Sequence, residues 1–154
     1  MGLDMFLHRK IYVGANYEHN QVKGVLEISR LGEPLTINLN KVLYIIEDAG
    51  SWRKANQIHR WFVDNVQDGE DNCAEYFVSG EQLNDFRELC KDVLEHHDTK
   101  YSLDNLPPDE GFFFGSYDID DWYYENLERT VKIVDEIQRT DPELSGEYTY
   151  QSSW

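Results

Sequence analysis

Glu81, Asp85, Glu88, Asp92 and Glu95 follow one another at steps of 4, 3, 4 and 3 residues. On an α-helix that spacing brings all five carboxylates to one side. What such a row can do is present negative charge. Like charges one turn apart destabilise a helix by a few tenths of a kcal/mol per pair, so an ordinary solvated face has no need of a single-sign row. Two acidic turns extend the set, with Asp68, Glu70 and Asp71 in one and Asp120 and Asp121 in the other. DNA carries one negative charge per about 1.7 Å of duplex, and a protein competing for a DNA-binding groove must array carboxylates densely on one surface. The plain alternative is charge for solubility, since Arg87 and Lys91 flank the row and acidic globular proteins are common.

A second set, Arg53, Lys54, His59 and Arg60 with the aromatics Tyr117 and Trp122, has the composition of a pocket for an anionic metabolite or nucleotide. Its plain alternative is packing, because His59 falls on the apolar stripe between Ala55 and Phe62. Read as the second of two adjacent helices, the run from Trp52 to Trp61 has the side chains of a helix-turn-helix reader. A net charge of −16 opposes direct nucleic-acid binding. No catalytic residue is assigned. Ser79 and Ser116 are helix-start residues, and Gly111 to Gly115 lacks the lysine of a phosphate loop. His96 and His97 are adjacent and point apart, Cys73 and Cys90 form no Cys-x-x-Cys, and neither acidic turn fits the calcium-loop pattern. No metal and no cofactor is expected.

Of the 30 acidic residues, 24 lie between Trp61 and Trp154 beside 6 basic ones, a formal charge of −18 for that stretch, whereas residues 1–60 hold 8 basic and 6 acidic side chains. So one-sided a balance repels nucleic acid and membranes and attracts basic grooves. A length of 154 residues, 40% hydrophobic and 14% aromatic, allows one core and opposes disorder. The two cysteines read as reduced core thiols, the start of the chain lacks a signal-type apolar region, and no run approaches the roughly 20 apolar residues that span a bilayer. The expected setting is the cytoplasm.

The elements that would position these side chains begin with a strand pair over residues 3–14 and 22–30. Leu39, Val42, Leu43, Ile46 and Ala49 recur at helical spacing between Asn38 as cap and Gly50 as terminator. Trp52, Ala55, His59, Phe62 and Val66 predict a second helix capped by Ser51. Residues 73–78 read as a strand. Ser79 and Gln82 form a capping box opening a helix whose inner face is Leu83, Phe86, Cys90, Val93 or Leu94, and His97. A loop over 99–110 leads to a short buried strand at 111–115. Asp118 caps a last helix with Ile119, Tyr123, Leu127, Thr130, Val134 and Ile137 inward and the pairs Glu125–Arg129, Glu128–Lys132 and Asp135–Arg139 outward. Tyr148, Tyr150 and Trp154 predict a terminal edge strand. The sum is a single α+β domain over residues 1–154, a mixed or antiparallel sheet packed with about four helices.

Four segments, MGLDMFL at the start, WRKANQIHRWFV over 52–63, GFFFGS over 111–116 and the final YQSSW, resemble a family of short phage and bacterial proteins of uncharacterised activity. The resemblance implies a phage or prophage accessory protein working in the cytoplasm of a bacterial host. It transfers no activity, cofactor or site residue. In that setting the expected partner of the acidic surface is a basic, nucleic-acid-binding host protein, such as a nuclease or a CRISPR or restriction component, blocked in the manner of DNA-mimicking anti-defence inhibitors.

Overall fold

β1 (Asp4–Tyr12) alternates Met5 and Leu7, fully buried, with Asp4, Phe6 and His8 on the opposite face, the period-two pattern of a strand covered on one side. A computed structural model describes residues 2–14, 19, 27–109, 111 and 114–154 of the chain. β2 (Ser29–Arg30) and β3 (Glu33–Pro34) form a two-residue ribbon around Leu31-Gly32. β4 (Tyr44–Arg53) runs antiparallel to β1, α1 spans Asn56–Asn65, and β5 is Tyr76–Val78. α2 (Gly80–His96) and α3 (Thr99–Asn105) follow, then α4 (Asp121–Thr140) and β6 (Glu147–Ser153).

β1, β4, β5 and β6 make one antiparallel sheet in the order β4-β1-β6-β5. Together with four helices this is the α+β domain expected. Register puts Met5, Leu7, Trp52, Tyr148, Tyr150 and Val78 on the covered face. Above them sits an aromatic stack. Phe62 of α1 lies parallel to Tyr150 at 3.9 Å, and Trp61 lies parallel to Phe86 of α2 at 4.0 Å. Offset aromatic pairs add about 0.5–1.5 kcal/mol each beyond the area they bury.

Several sequence expectations need correction. The helix predicted from Leu39 to Ala49 is absent: Asn38 caps only a short 3-10 turn at Leu39–Lys41, and residues 44–53 are β4. Leu43 and Ile46, placed inward by the helical reading, are exposed. Pairing with β1 supplies the inward backbone partners of residues 44–53 as an edge strand, and β-branched Ile45 and Ile46 suit the extended form. Trp52 therefore belongs to β4, α1 starts only after Ala55, and the segment directly before it is a strand, not the first helix of a helix-turn-helix. β1 pairs with β4 and β6 rather than with residues 22–30, of which 22–26 lie outside the described residues. Residues 99–105 are helical because the Asp98 carboxylate accepts from the Tyr101 N–H at 2.8 Å. The last helix is capped by Asp120, not Asp118. No strand forms at 111, 114 or 115, and Phe112 and Phe113 lie outside the described residues. β6 is an inner strand between β1 and β5, not an edge, which is why Tyr148 and Tyr150 are fully buried. Cys90 is a core thiol that burial pushes well above its ordinary pKa, whereas Cys73 is a half-buried free thiol in the loop before β5.

Candidate functional site

The capping box predicted for α2 is complete: Ser79 Oγ accepts from the Gln82 N–H at 3.1 Å and Gln82 Oε1 from the Ser79 N–H at 2.9 Å. Leu83, Phe86, Cys90 and Val93 are buried, and this fixes the helix rotation. The acidic row then falls on the outer flank, with Glu81, Asp85, Glu88 and Glu95 exposed and Asp92 half-buried. Five carboxylates over residues 81–95 span about 21 Å of helix axis, or about one per 5 Å, against one per 3.4 Å on a DNA strand.

Their partners differ. Arg87 and Lys91 serve Glu88, and Arg87 Nε also donates to Asp135 of α4 at 2.6 Å, a bond that pushes the guanidinium pKa up further. Asp92 accepts from the Tyr101 hydroxyl of α3 and stands 3.5 Å from His96. Glu81, Asp85 and Glu95 make no ion pair among the described residues. Among the described residues, no cation from residues 1–60 pairs with the row; Lys10 pairs with Glu75 and Arg60 with Asp64 instead.

The two acidic turns lie at opposite ends of α2. Gln82 Nε2 donates to the Asn65 carbonyl at 2.7 Å, which brings the turn of Asp68 and Glu70 to the Glu81 end. His97 stacks on Tyr124 at 3.9 Å, which brings the start of α4, with Asp120 and Asp121, to the Glu95 end. Asp68, Glu70 and Asp121 are exposed. Asp120 is spent on capping, accepting from the Tyr123 N–H at 3.0 Å. Asp71 is spent on the core: it accepts from Trp154 Nε1 at 3.0 Å and sits 3.1 Å from His59 Nε2.

The second set is dispersed. His59 is fully buried, with Nδ1 2.8 Å from the Tyr150 hydroxyl, so no ligand reaches it in this conformation. Arg60 is taken up by Asp64 at 3.5 Å and by the Pro108 carbonyl. The Tyr117 hydroxyl closes its own loop on the Gly111 N–H and carbonyl. Lys54 is exposed at the corner between β4 and α1. Its carbonyl would stand 2.6 Å from a Cβ at Gly115, whose φ of +109° is open to glycine. Of this set, Arg53 and Trp122 share a cleft, about 250 Å³ in volume, between the end of β4 and the first turns of α4.

That cleft includes Arg129, which the sequence placed in an outward pair with Glu125. Its Nε donates to the Ser51 carbonyl at 2.7 Å instead. A contact between residues 78 positions apart leaves no periodic signal. Neither does the chain Trp154–Asp71–His59–Tyr150, whose members come from the end of the chain, a loop, a helix and a strand. Among the described residues, no group of three or more His, Cys, Asp or Glu is placed to hold a metal ion. No helix built of them is long and apolar enough to cross a membrane. No family model matches the chain, and no curated protein or solved structure matches it significantly.

Proposed function

We propose that this chain is an acidic interaction protein that docks the outer flank of α2 into the nucleic-acid-binding groove of a basic protein and blocks it. The observation that carries the reading is that Glu81, Asp85 and Glu95 are exposed and make no ion pair among the described residues, while the helix's own cations are spent on Glu88 and Asp135. Exposed Asp68 and Glu70 continue the charge at one end and Asp121 at the other. Blocking needs no bond-making, only steric cover and attraction that steers the encounter. Given the resemblance to short phage proteins, the partner is proposed to be a host nuclease or a component of a CRISPR or restriction system, and the setting the bacterial cytoplasm.

The test is inhibition of duplex cleavage by a panel of host restriction and CRISPR nucleases, run at low and high salt, with the wild type and with Glu81→Lys/Asp85→Lys/Glu95→Lys. Inhibition that weakens with salt and disappears in the triple variant is expected. Inhibition that the variant retains, or no inhibition across the panel, sinks the reading.

A further inference from the structure

The cleft between β4 and α4 stands apart from the acidic flank in its chemistry. In a chain of net charge −16, it gathers two guanidinium groups, Arg53 and Arg129, against one carboxylate, Asp4. The Asp4 contact is loose, 3.5 Å from Arg53 Nε, and the Arg53 side chain is 66% exposed. Arg129 is held differently. Its Nε is fixed on the Ser51 carbonyl at 2.7 Å, and its terminal nitrogens make no ion pair among the described residues. A guanidinium anchored through Nε keeps the planar fork that suits a phosphate or carboxylate, with little side-chain entropy left to lose.

The walls are aromatic. Trp122 is 51% exposed, although its neighbours Tyr123 and Tyr124 are buried. Phe6 lines the cleft from β1, and Trp52 forms its floor, held by its Nε1 donating to Thr130 Oγ1 at 3.0 Å. Asn126, one turn beyond Trp122 and 4% exposed, gives its amide N–H to the Trp122 carbonyl at 2.7 Å. Its side-chain oxygen, which accepts no hydrogen bond from the described residues, is left as an acceptor at the cleft. An indole face, a fork of cationic donors and a lone acceptor together match a planar base carrying a phosphate. The volume of about 250 Å³ lies just below the usual range for ligand pockets, about 300–1,000 Å³, a size that suits one base with one phosphate.

We infer that the cleft formed by Arg53, Arg129, Trp122 and Asn126 binds a mononucleotide, with the phosphate on the two arginines and the base against Trp122. This site is independent of the acidic flank, and either can exist without the other.

Isothermal titration of the full chain with inorganic phosphate, with nucleosides and with nucleoside 5′-monophosphates tests it. The monophosphates are expected to bind, with phosphate and nucleoside each at least ten-fold weaker. Arg53→Ala is expected to weaken the nucleotide about ten-fold, the lower end of what a charged hydrogen bond contributes, given its exposure. Trp122→Ala is expected to bring nucleotide down to the affinity of phosphate while leaving phosphate itself unchanged. Both side chains are exposed, so both variants should melt like the wild type, and Glu81→Lys should bind nucleotide as the wild type does. Phosphate binding as tightly as the monophosphates, no heat with any monophosphate, or nucleotide binding that neither variant alters overturns the inference.

Discussion

The Tyr150 hydroxyl lies 2.8 Å from His59 Nδ1, and both residues are fully buried. On its other side His59 Nε2 faces the Asp71 carboxylate at 3.1 Å. The Tyr150 O–H can donate only to an unprotonated Nδ1, so this contact goes with the tautomer that has its N–H on Nε2, facing the acceptor oxygen of Asp71. Burial, then the Asp71 charge, push the Tyr150 pKa well up, so it remains a donor.

Tyr150→Phe removes that donor and leaves His59 Nδ1 unpaired in the core, at an expected cost of about 1–2 kcal/mol. His59→Ala also opens a cavity beside Phe114 and Tyr150 and is expected to cost about 3 kcal/mol. Urea unfolding of both single variants and the double variant measures the coupling. Additive losses would show that the 2.8 Å contact contributes nothing.

Asp141 couples α4 to β6 and predicts a stretch of the acid stability profile. Burial acts to raise its pKa, but donors outweigh it: the Gly146 N–H, the Tyr148 hydroxyl and the Ser145 N–H and hydroxyl hold it down at about 2, against 3.8 unperturbed. A depressed carboxylate contributes stability that is fully present above the unfolded value and is lost as pH falls through the folded one. Asp141→Asn is therefore expected to cost about 2 kcal/mol at neutral pH. The gap to wild type should close between about pH 4 and pH 2. A gap that is constant across that window would mean that the carboxylate charge is irrelevant to the turn.

Gly50 tests the corrected reading of residues 44–53. The helical spacing of Leu39 to Ala49 made it a terminator, whereas in β4 it faces α4 closely enough that a Cβ would stand 2.6 Å from Ile133 Cγ2. Gly50→Ala is expected to destabilise by about 1–3 kcal/mol through overpacking, and Ile133→Ala in the same chain to recover much of it. As a helix terminator on a surface, Gly50→Ala would cost far less and ignore residue 133. Thermal melts of the two variants decide.

What was legible follows the range of the forces. α2 and α4 are set by caps and periodicity within a few residues, so the capping box at Ser79 and most of both inner faces could be read from the sequence, whereas His97, placed inward by the spacing, is exposed as the left-handed C-cap of α2, and Ile119 lies before α4. β4 and β6 are set by partners far away: Leu7 pairs with both Gly50 and Tyr150. Nothing local in LYIIEDAG distinguishes an amphipathic helix from an edge strand once such a partner exists. The candidate site divides the same way. The row on α2 is a local pattern, and four of its five carboxylates are exposed as the spacing places them, whereas the commitment of Asp92 to Tyr101, of Asp71 to Trp154 and of Arg129 to Ser51 left no mark.

That division separates the acidic residues into two groups with opposite expected phenotypes. Glu81, Asp85 and Glu95 have no partner among the described residues to lose, so replacing all three by Lys should shift stability by no more than about 0.5 kcal/mol per site, with a gain where like-charge repulsion is relieved. Asp120→Ala removes the cap of α4 and is expected to cost about 1 kcal/mol. Asp71→Ala strands His59 Nε2 and the Trp154 indole, at an expected cost of about 1–3 kcal/mol. If the flank is a docking surface, the first group alters inhibition and not melting, and the second alters melting first. Circular-dichroism melts beside the nuclease panel give both readouts, and a triple variant that melts about 10 °C or more lower, beyond the few degrees that such small losses allow, would place its carboxylates in the fold rather than at an interface.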